Sequence, residues 1–293
     1  MSEQGTTAAE QVAFLGTGLL GGNFVRALRR RGVPVRCWNR SPEKARALAS
    51  TGAVACDDPA DAVRGAARVH LALSDDAAVD DVLDRICPGL APGAILVDHT
   101  TTSPAGTIAR AARWEALGVP FQHAPVFMGP QNALEGTGLM LASGPRARFE
   151  ALAPALAPMT GRLEWLGPQV DRAAALKLVG NCFLMAMSAG LVDALALGKS
   201  LGVPPAEAGA LFELFNPGTT VPARVKRILA ARHDRPSWTL DMARKDARLM
   251  TEAAGPGAAA LMLLPVIAAA MDRAIGEGLG GQDWMVISRG VTG

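Results

Sequence analysis

The chain has 293 residues, 49% of them AVILMFWYC and 19% charged, which is enough for one large domain or two ordinary ones around a real core. The formal net charge of +2 is spread along the sequence with no long Lys/Arg run, so there is no electrostatic footprint for nucleic acid. Cys37, Cys56, Cys87 and Cys182 form no CxxC pair and no metal-ligand spacing, so no metal is expected and the cysteines read as reduced thiols of a cytoplasmic protein.

Met1 to Glu10 is polar and small, a short tail without signal-peptide character. "QVAFLG" (11–16) predicts a first strand ending in glycine, and "NFVRALRRRG" (23–32) a helix with Phe24, Val25 and Leu28 on one side. "VPVRCWN" (33–39) predicts a second strand. "SPEKARALASTG" (41–52) predicts a helix with a Ser N-cap and Pro at its first position. "ARVHLALS" (67–74) and "AILVDHT" (94–100) predict third and fourth strands, and "SPAGTIARAARWEALG" (103–118) another capped helix. Alternation at this spacing predicts a parallel sheet with covering helices, an α/β fold. Near Gly167 the texture changes. Residues 173–198 are almost wholly apolar and predict one helix about 40 Å long, buried on most sides by its neighbours or by another subunit. Further helices are predicted over 204–215, 220–232, 240–254 and 258–276, so the second part is expected to be all-helical. The most apolar run, 258–271, is shorter than a membrane span of about 20 residues and contains Pro265. It reads as a buried helix, and no membrane partner is expected.

Gly16-Thr17-Gly18-Leu19-Leu20-Gly21 lies directly between the first strand and the first helix. In that context GxGxxG is a dinucleotide fingerprint. The first Gly makes the turn, the second admits a pyrophosphate and the third lets helix and sheet pack. The N–H groups at the helix start then face the phosphates. At the end of the second strand, where a carboxylate would accept from the ribose 2′-OH, the chain has Asn39-Arg40-Ser41. Arg40 can pair with a 2′-phosphate, with Asn39 and Ser41 donating hydrogen bonds, which favours NADP and leaves NAD as an alternative.

On the long helix the clearly polar side chains are Lys177, Asn181, Ser188 and Asp193. Lys177 and Asn181 are at i and i+4 and share a face, which Ser188 extends; Asp193 falls on the other side. Desolvation of Lys177 favours its neutral form and suits proton transfer. One reading makes it a general acid with Asn181 orienting a substrate; the other is a lysine snorkelling to water.

Five ordered motifs together resemble the β-hydroxyacid dehydrogenases, the family of 3-hydroxyisobutyrate dehydrogenase, tartronate semialdehyde reductase and the glyoxylate/succinic semialdehyde reductases. They are "FLGTGLLGGNF"; Asp98-His99-Thr100-Thr101-Thr102-Ser103-Pro104; "APVFMGPQNALEGT" (124–137); Lys177-Leu178-Val179-Gly180-Asn181; and "WTLDMARKDARL" (238–249). The resemblance implies a Rossmann NAD(P)-binding domain over 1–166. A helical substrate and oligomerisation domain, built on the long helix, follows over 167–293. It implies a homodimer or homotetramer through the helical domain and a small carbonyl or hydroxyacid substrate. Position by position it makes Lys177 the catalytic lysine and Asn181 a substrate-positioning residue. Thr101 becomes the contact at the nicotinamide end and with the substrate. Leu73, Ser74 and Lys245 become cofactor contacts, with Asp246 a structural partner.

The third motif departs from the family. Where a Ser and two glycines follow Ala-Pro-Val and hold a substrate carboxylate, this chain has Phe127, Met128 and Gly129. The N–H groups of Met128 and Gly129 can still form an anion nest while the side chains wall the pocket, or both side chains point into the core. Gly180 replaces the first Asn of the fourth motif. His99 and His123 read as satisfied structural histidines. The expected function is an NADPH-preferring oxidoreductase of a small aldehyde, semialdehyde or β-hydroxyacid. The alternatives are an imine reductase of the same architecture, disfavoured by Lys177, and a catalytically silent NADPH-binding module.

Overall fold

In a strand buried on both faces, successive side chains feed two separate cores. The first strand does this: Val12, Ala13, Phe14 and Leu15 are each 0% exposed. Val12 and Phe14 join a cluster with Phe24, Val25 and Leu28, while Ala13 and Leu15 join one with Val63, Val79 and Leu83. The computed structural model describes residues 10–291, so the tail up to residue 9 lies outside the described residues. The chain divides into two compact units, Met1–Asn181 and Cys182–Gly293.

In the first unit, β1 (Val12–Leu15), β2 (Val35–Trp38), β3 (Val54–Ala55), β4 (Arg68–Leu71), β5 (Ile95–Asp98) and β6 (Phe121–His123) form one sheet in the order β3-β2-β1-β4-β5-β6. Every pair is parallel. The connecting helices are α1 (Leu19–Arg30), α2 (Pro42–Arg46), α3 (Pro59–Val63), α4 (Asp76–Ile86) and α5 (Pro104–Ala116). Ser103 caps α5 by accepting from the Gly106 N–H at 3.0 Å, as its position before Pro104 predicts. The strand order reverses at the β1/β4 pair, so the carboxyl ends of these strands open a crevice, the place where such sheets take ligands.

Beyond β6 the sequence carries no predicted element before the long helix, yet the structure forms a second, three-stranded sheet there. β7 (Val126–Phe127) pairs antiparallel with β8 (Leu139–Ala142), which pairs parallel with β9 (Arg162–Trp165). α6 (Pro130–Glu135) and α7 (Arg146–Leu156) join them. The two residues of β7 are too short to show a period in sequence, and β9 carries two charges in four residues.

The long helix is α8 (Arg172–Ser200), and Asn181 and Cys182 divide the two units within it. The expectation that its neighbours bury it does not hold within the chain: Val179, Phe183 and Met185 are 64%, 52% and 71% exposed. By length and composition alone α8 is apolar enough to cross a membrane.

The second unit continues with α9 (Pro205–Leu214), α10 (Val221–Ala230), α11 (Leu240–Ala254) and α12 (Leu264–Gly276). The run 258–271, expected as one buried helix, is broken and half open to solvent. A 3-10 turn over Gly255–Ala260 takes up its first three residues, α12 starts only at Leu264, and Met262 and Val266 are 59% and 65% exposed. Pro265 sets that boundary, since proline is accepted in the first turn of a helix and not in its interior. Asp193 of α8 secures it: its carboxylate accepts from the N–H groups of Met262, Leu263 and Leu264 at 2.6, 2.9 and 2.9 Å. Burial opposes ionisation of Asp193, but these three donors outweigh it and hold the carboxyl below its ordinary range.

Candidate active site

A cleft of about 800 Å³ opens at the β1/β4 crevice, and every residue lining it belongs to the first unit. The three loop glycines meet different demands. Gly16 has φ +91°, and a Cβ there would lie 2.2 Å from the Ala72 carbonyl oxygen; one on Gly21 would lie 1.9 Å from the Gly16 oxygen. Those two positions are closed by backbone, whereas a Cβ on Gly18 would meet nothing within 4 Å. Gly18 is also the N-cap of α1, with no side-chain cap and no acidic residue in the first turn. The helix start therefore presents free N–H groups and positive dipole to the cleft, the donor set a pyrophosphate needs. Thr17 Oγ1 is buried with no hydrogen-bond partner among the described residues. These features fit a dinucleotide.

Leu19, Leu20, Asn39, Arg40, Ser41, Leu73 and Ser74 line the same cleft, as the motifs predict. Asn39 needs a correction. Its Oδ1 accepts from the Thr17 N–H at 2.9 Å, and its Nδ2 donates to the Ser41 carbonyl at 3.1 Å. Its amide ties the glycine loop to the end of β2, with one of its two Nδ2 hydrogens committed to Ser41. Arg40 is exposed and makes no ion pair among the described residues. Lys44 and Arg85 also line the cleft, and Arg85 lies 5.1 Å from the centre of the Trp38 ring. Lys44, one helical turn past Arg40, is detectable from its spacing. Arg85 on α4 has no such signal.

The other end is built from β5, β7 and α8. Thr101, Met128 and Lys177 line it. Lys177 is 8% exposed; its Nζ donates to Asn181 Oδ1 at 2.9 Å and sits 4.1 Å from the centre of the Phe127 ring. Burial pushes the Lys177 ammonium below its ordinary range. The snorkelling alternative fails, because Lys177 points into the cleft. Ser188 does not extend the stripe: it is exposed and donates to Leu184 of its own helix at 2.9 Å. The anion nest expected from Met128 and Gly129 is also compromised. The Gly129 N–H donates to Asn132 Oδ1 at 2.9 Å, and Asn132 is held in turn by Thr137 at 2.9 Å.

Behind this end lies a buried imidazole pair. His99 Nδ1 donates to the Ala124 carbonyl at 2.8 Å, so its Nε2 accepts, and His70 Nδ1 donates to it at 2.9 Å. Burial pushes His99 down to about 4 and holds His70 well below its ordinary value, so both are neutral. His99 lines the cleft but is satisfied; it holds the Ala124 carbonyl in the segment between β6 and β7. His123 is buried too and bonds the Thr100 carbonyl at 2.9 Å. Lys245 stands on α11 in the second unit, paired with Asp246 at 2.9 Å.

Residues 11–167 match the NAD binding domain of 6-phosphogluconate dehydrogenase. The chain is 26% identical to 3-sulfolactaldehyde reductase of Escherichia coli over 281 residues, 94% of either chain. It is 25% identical to glyoxylate/succinic semialdehyde reductase 1 of Arabidopsis thaliana, covering 96% of this chain and 98% of the relative. Its fold is that of the imine reductase from Myxococcus stipitatus solved with NADP+. The TM-score is 0.87 at 22% identity, over 96% of this chain and 99% of the other.

Proposed function

This chain belongs to the β-hydroxyacid dehydrogenase family of NAD(P)-binding oxidoreductases, and from that premise we propose an NADPH-preferring reductase of a small aldehyde, semialdehyde or keto compound. It acts reversibly as a dehydrogenase of the corresponding alcohol or β-hydroxyacid, with Lys177 as general acid and base. One observation carries the reading. A buried ammonium, free of any ion pair among the described residues, lines the same cleft as the open Gly18 and the uncapped start of α1.

When bound, the nicotinamide dinucleotide supplies the hydride. The chain's own residues do the rest. Lys177 Nζ holds a proton for the carbonyl oxygen, and burial makes it a readier donor than a surface lysine. Asn181 Oδ1 fixes that ammonium and leaves Nδ2 to orient the substrate oxygen. Low exposure excludes water from the ammonium and strengthens its field where negative charge develops. Arg40, with Ser41 and Lys44 beside it, supports NADP over NAD because an unpaired guanidinium suits a 2′-phosphate. Lys245 enters as a cofactor contact on the family motif alone. The exposed apolar face of α8 supports a homodimer or homotetramer, and four free thiols suit the cytoplasm. Asp193 and Lys177 both engage groups of this chain, which favours a protein partner over a bilayer for α8.

NADPH and NADH oxidation against a panel of aldehydes, semialdehydes and keto compounds tests the proposal. Consumption of NADPH with at least one class supports it. Cofactor binding without turnover on the whole panel overturns it in favour of a silent binding module. The Phe127 ring beside Lys177 favours a second reading, reduction of an imine, whose mark is turnover of cyclic imines with none of carbonyls.

A further inference from the structure

Phe127 and Gly180 are far apart in sequence and interlocked in space. A Cβ on Gly180 would lie 2.3 Å from Phe127 Cζ and 2.6 Å from Cε1, so the ring occupies the volume that any other residue at 180 would claim. Seated there, it turns its face to Lys177 Nζ, 4.1 Å from the ring centre. Aromatic faces carry the negative lobe of the ring quadrupole, so they attract the ammonium and repel a carboxylate. The nearby loop offers little to compensate an anion. The Gly129 N–H is spent on Asn132, and the Met128 side chain packs with the apolar core beneath β7. The other cations lining the cleft, Arg40, Lys44 and Arg85, belong to the loop after β2, to α2 and to α4. Among the described residues lining the cleft, Lys177 is thus the cation of this end, and a carbonyl oxygen there would use it. An anionic group on the neighbouring carbon would compete with that oxygen for Lys177, Asn181 Nδ2 and Thr101 beside an apolar wall, whereas an apolar group would gain contact with Val126 and Met128, which line the cleft, backed by the Phe127 ring at Lys177.

We propose that the Phe127–Gly180 pair is a specificity element that makes this site select substrates with an uncharged, apolar substituent beside the reacting carbonyl over those with a carboxylate there. The proposal rests on the assignment of the Lys177 end of the cleft as the carbonyl site.

The test uses two unreactive ligands of matched shape, isobutyramide and oxamate, which differ by an isopropyl group in place of a carboxylate. Each is titrated into the NADPH-loaded protein and followed by nicotinamide fluorescence. Wild type should bind isobutyramide tighter by at least about tenfold, and Phe127→Ser should narrow that ratio by a similar factor. Gly180→Ala, which displaces the ring while keeping it in the chain, is the second variant and should shift the ratio the same way. Oxamate binding as tight as isobutyramide in wild type overturns the proposal. So does failure to bind either ligand, or an unchanged ratio in both variants. Isobutyraldehyde and glyoxylate, matched likewise, separate this proposal from the reductase reading. If neither is reduced while the ligand preference holds, the reductase reading fails and the selectivity stands. If glyoxylate is reduced with the higher kcat/KM by about tenfold or more, the selectivity fails and the reductase stands.

Discussion

Lys177 is kept at an energetic cost. Its ammonium is buried, with one amide oxygen and one aromatic face as compensation and no carboxylate partner among the described residues. Burial lowers its folded pKa below 10.5, so the protonated form destabilises the native state at neutral pH, and the penalty fades as pH rises through the folded pKa toward 10.5. Lys177→Met should therefore raise stability by about 1 kcal/mol at pH 7, a gain that shrinks in alkaline solution; urea unfolding at pH 7 and pH 10 measures both. Arg40 predicts the opposite kind of change, in function alone. Arg40→Ser should lower kcat/KM for NADPH by at least about tenfold and leave NADH within a factor of about two, as the loss of a charge-assisted contact to a 2′-phosphate requires. Both residues were legible in sequence for a physical reason: a charge in an apolar helix, and a guanidinium where a carboxylate is expected. The contact between Phe127 and Gly180 was not, because no local pattern relates a strand residue to a distant helix residue. Nor did the sequence reveal that Asn39 braces the glycine loop.

At the scale of elements, the joint between α8 and α12 depends on one carboxylate. Asp193 supplies the capping acceptor that Leu263, the residue before α12, lacks. Asp193→Ala should cost about 1–2 kcal/mol at pH 7 in thermal or urea unfolding. Its folded pKa is depressed below the ordinary 3.8, so the stabilisation is complete above about pH 4 and is lost as pH falls through the lower folded value. The difference between wild type and variant should accordingly close in acid. Four of the six parallel strands of the first sheet, β1, β2, β4 and β5, were visible in sequence as largely apolar runs alternating with helical stretches; β3 and β6, of two and three residues, were not. The second sheet was not read either: β7 has only two residues, and β9 (RLEW) carries two charges in four residues, so neither stands out as an apolar run.

For the whole molecule, the exposed face of α8 is a mismatch between apolarity and burial. A 29-residue helix leaving Val179, Phe183 and Met185 more than half exposed is a surface that needs covering. Apolarity alone announces that such a helix is buried and cannot say by what. The proposed homodimer or homotetramer predicts that Met185→Arg shifts the mass in light scattering from two or four chains toward one, since a charge on an apolar interface face is costly. The most direct test of the central claim is pre-steady-state NADPH oxidation by Lys177→Ala on the best aldehyde of the panel, with NADPH affinity measured in parallel by fluorescence. Loss of a positioned general acid predicts a hydride-transfer rate lower by about 10²–10⁴-fold with cofactor affinity unchanged. A wild-type rate in that variant would contradict the account.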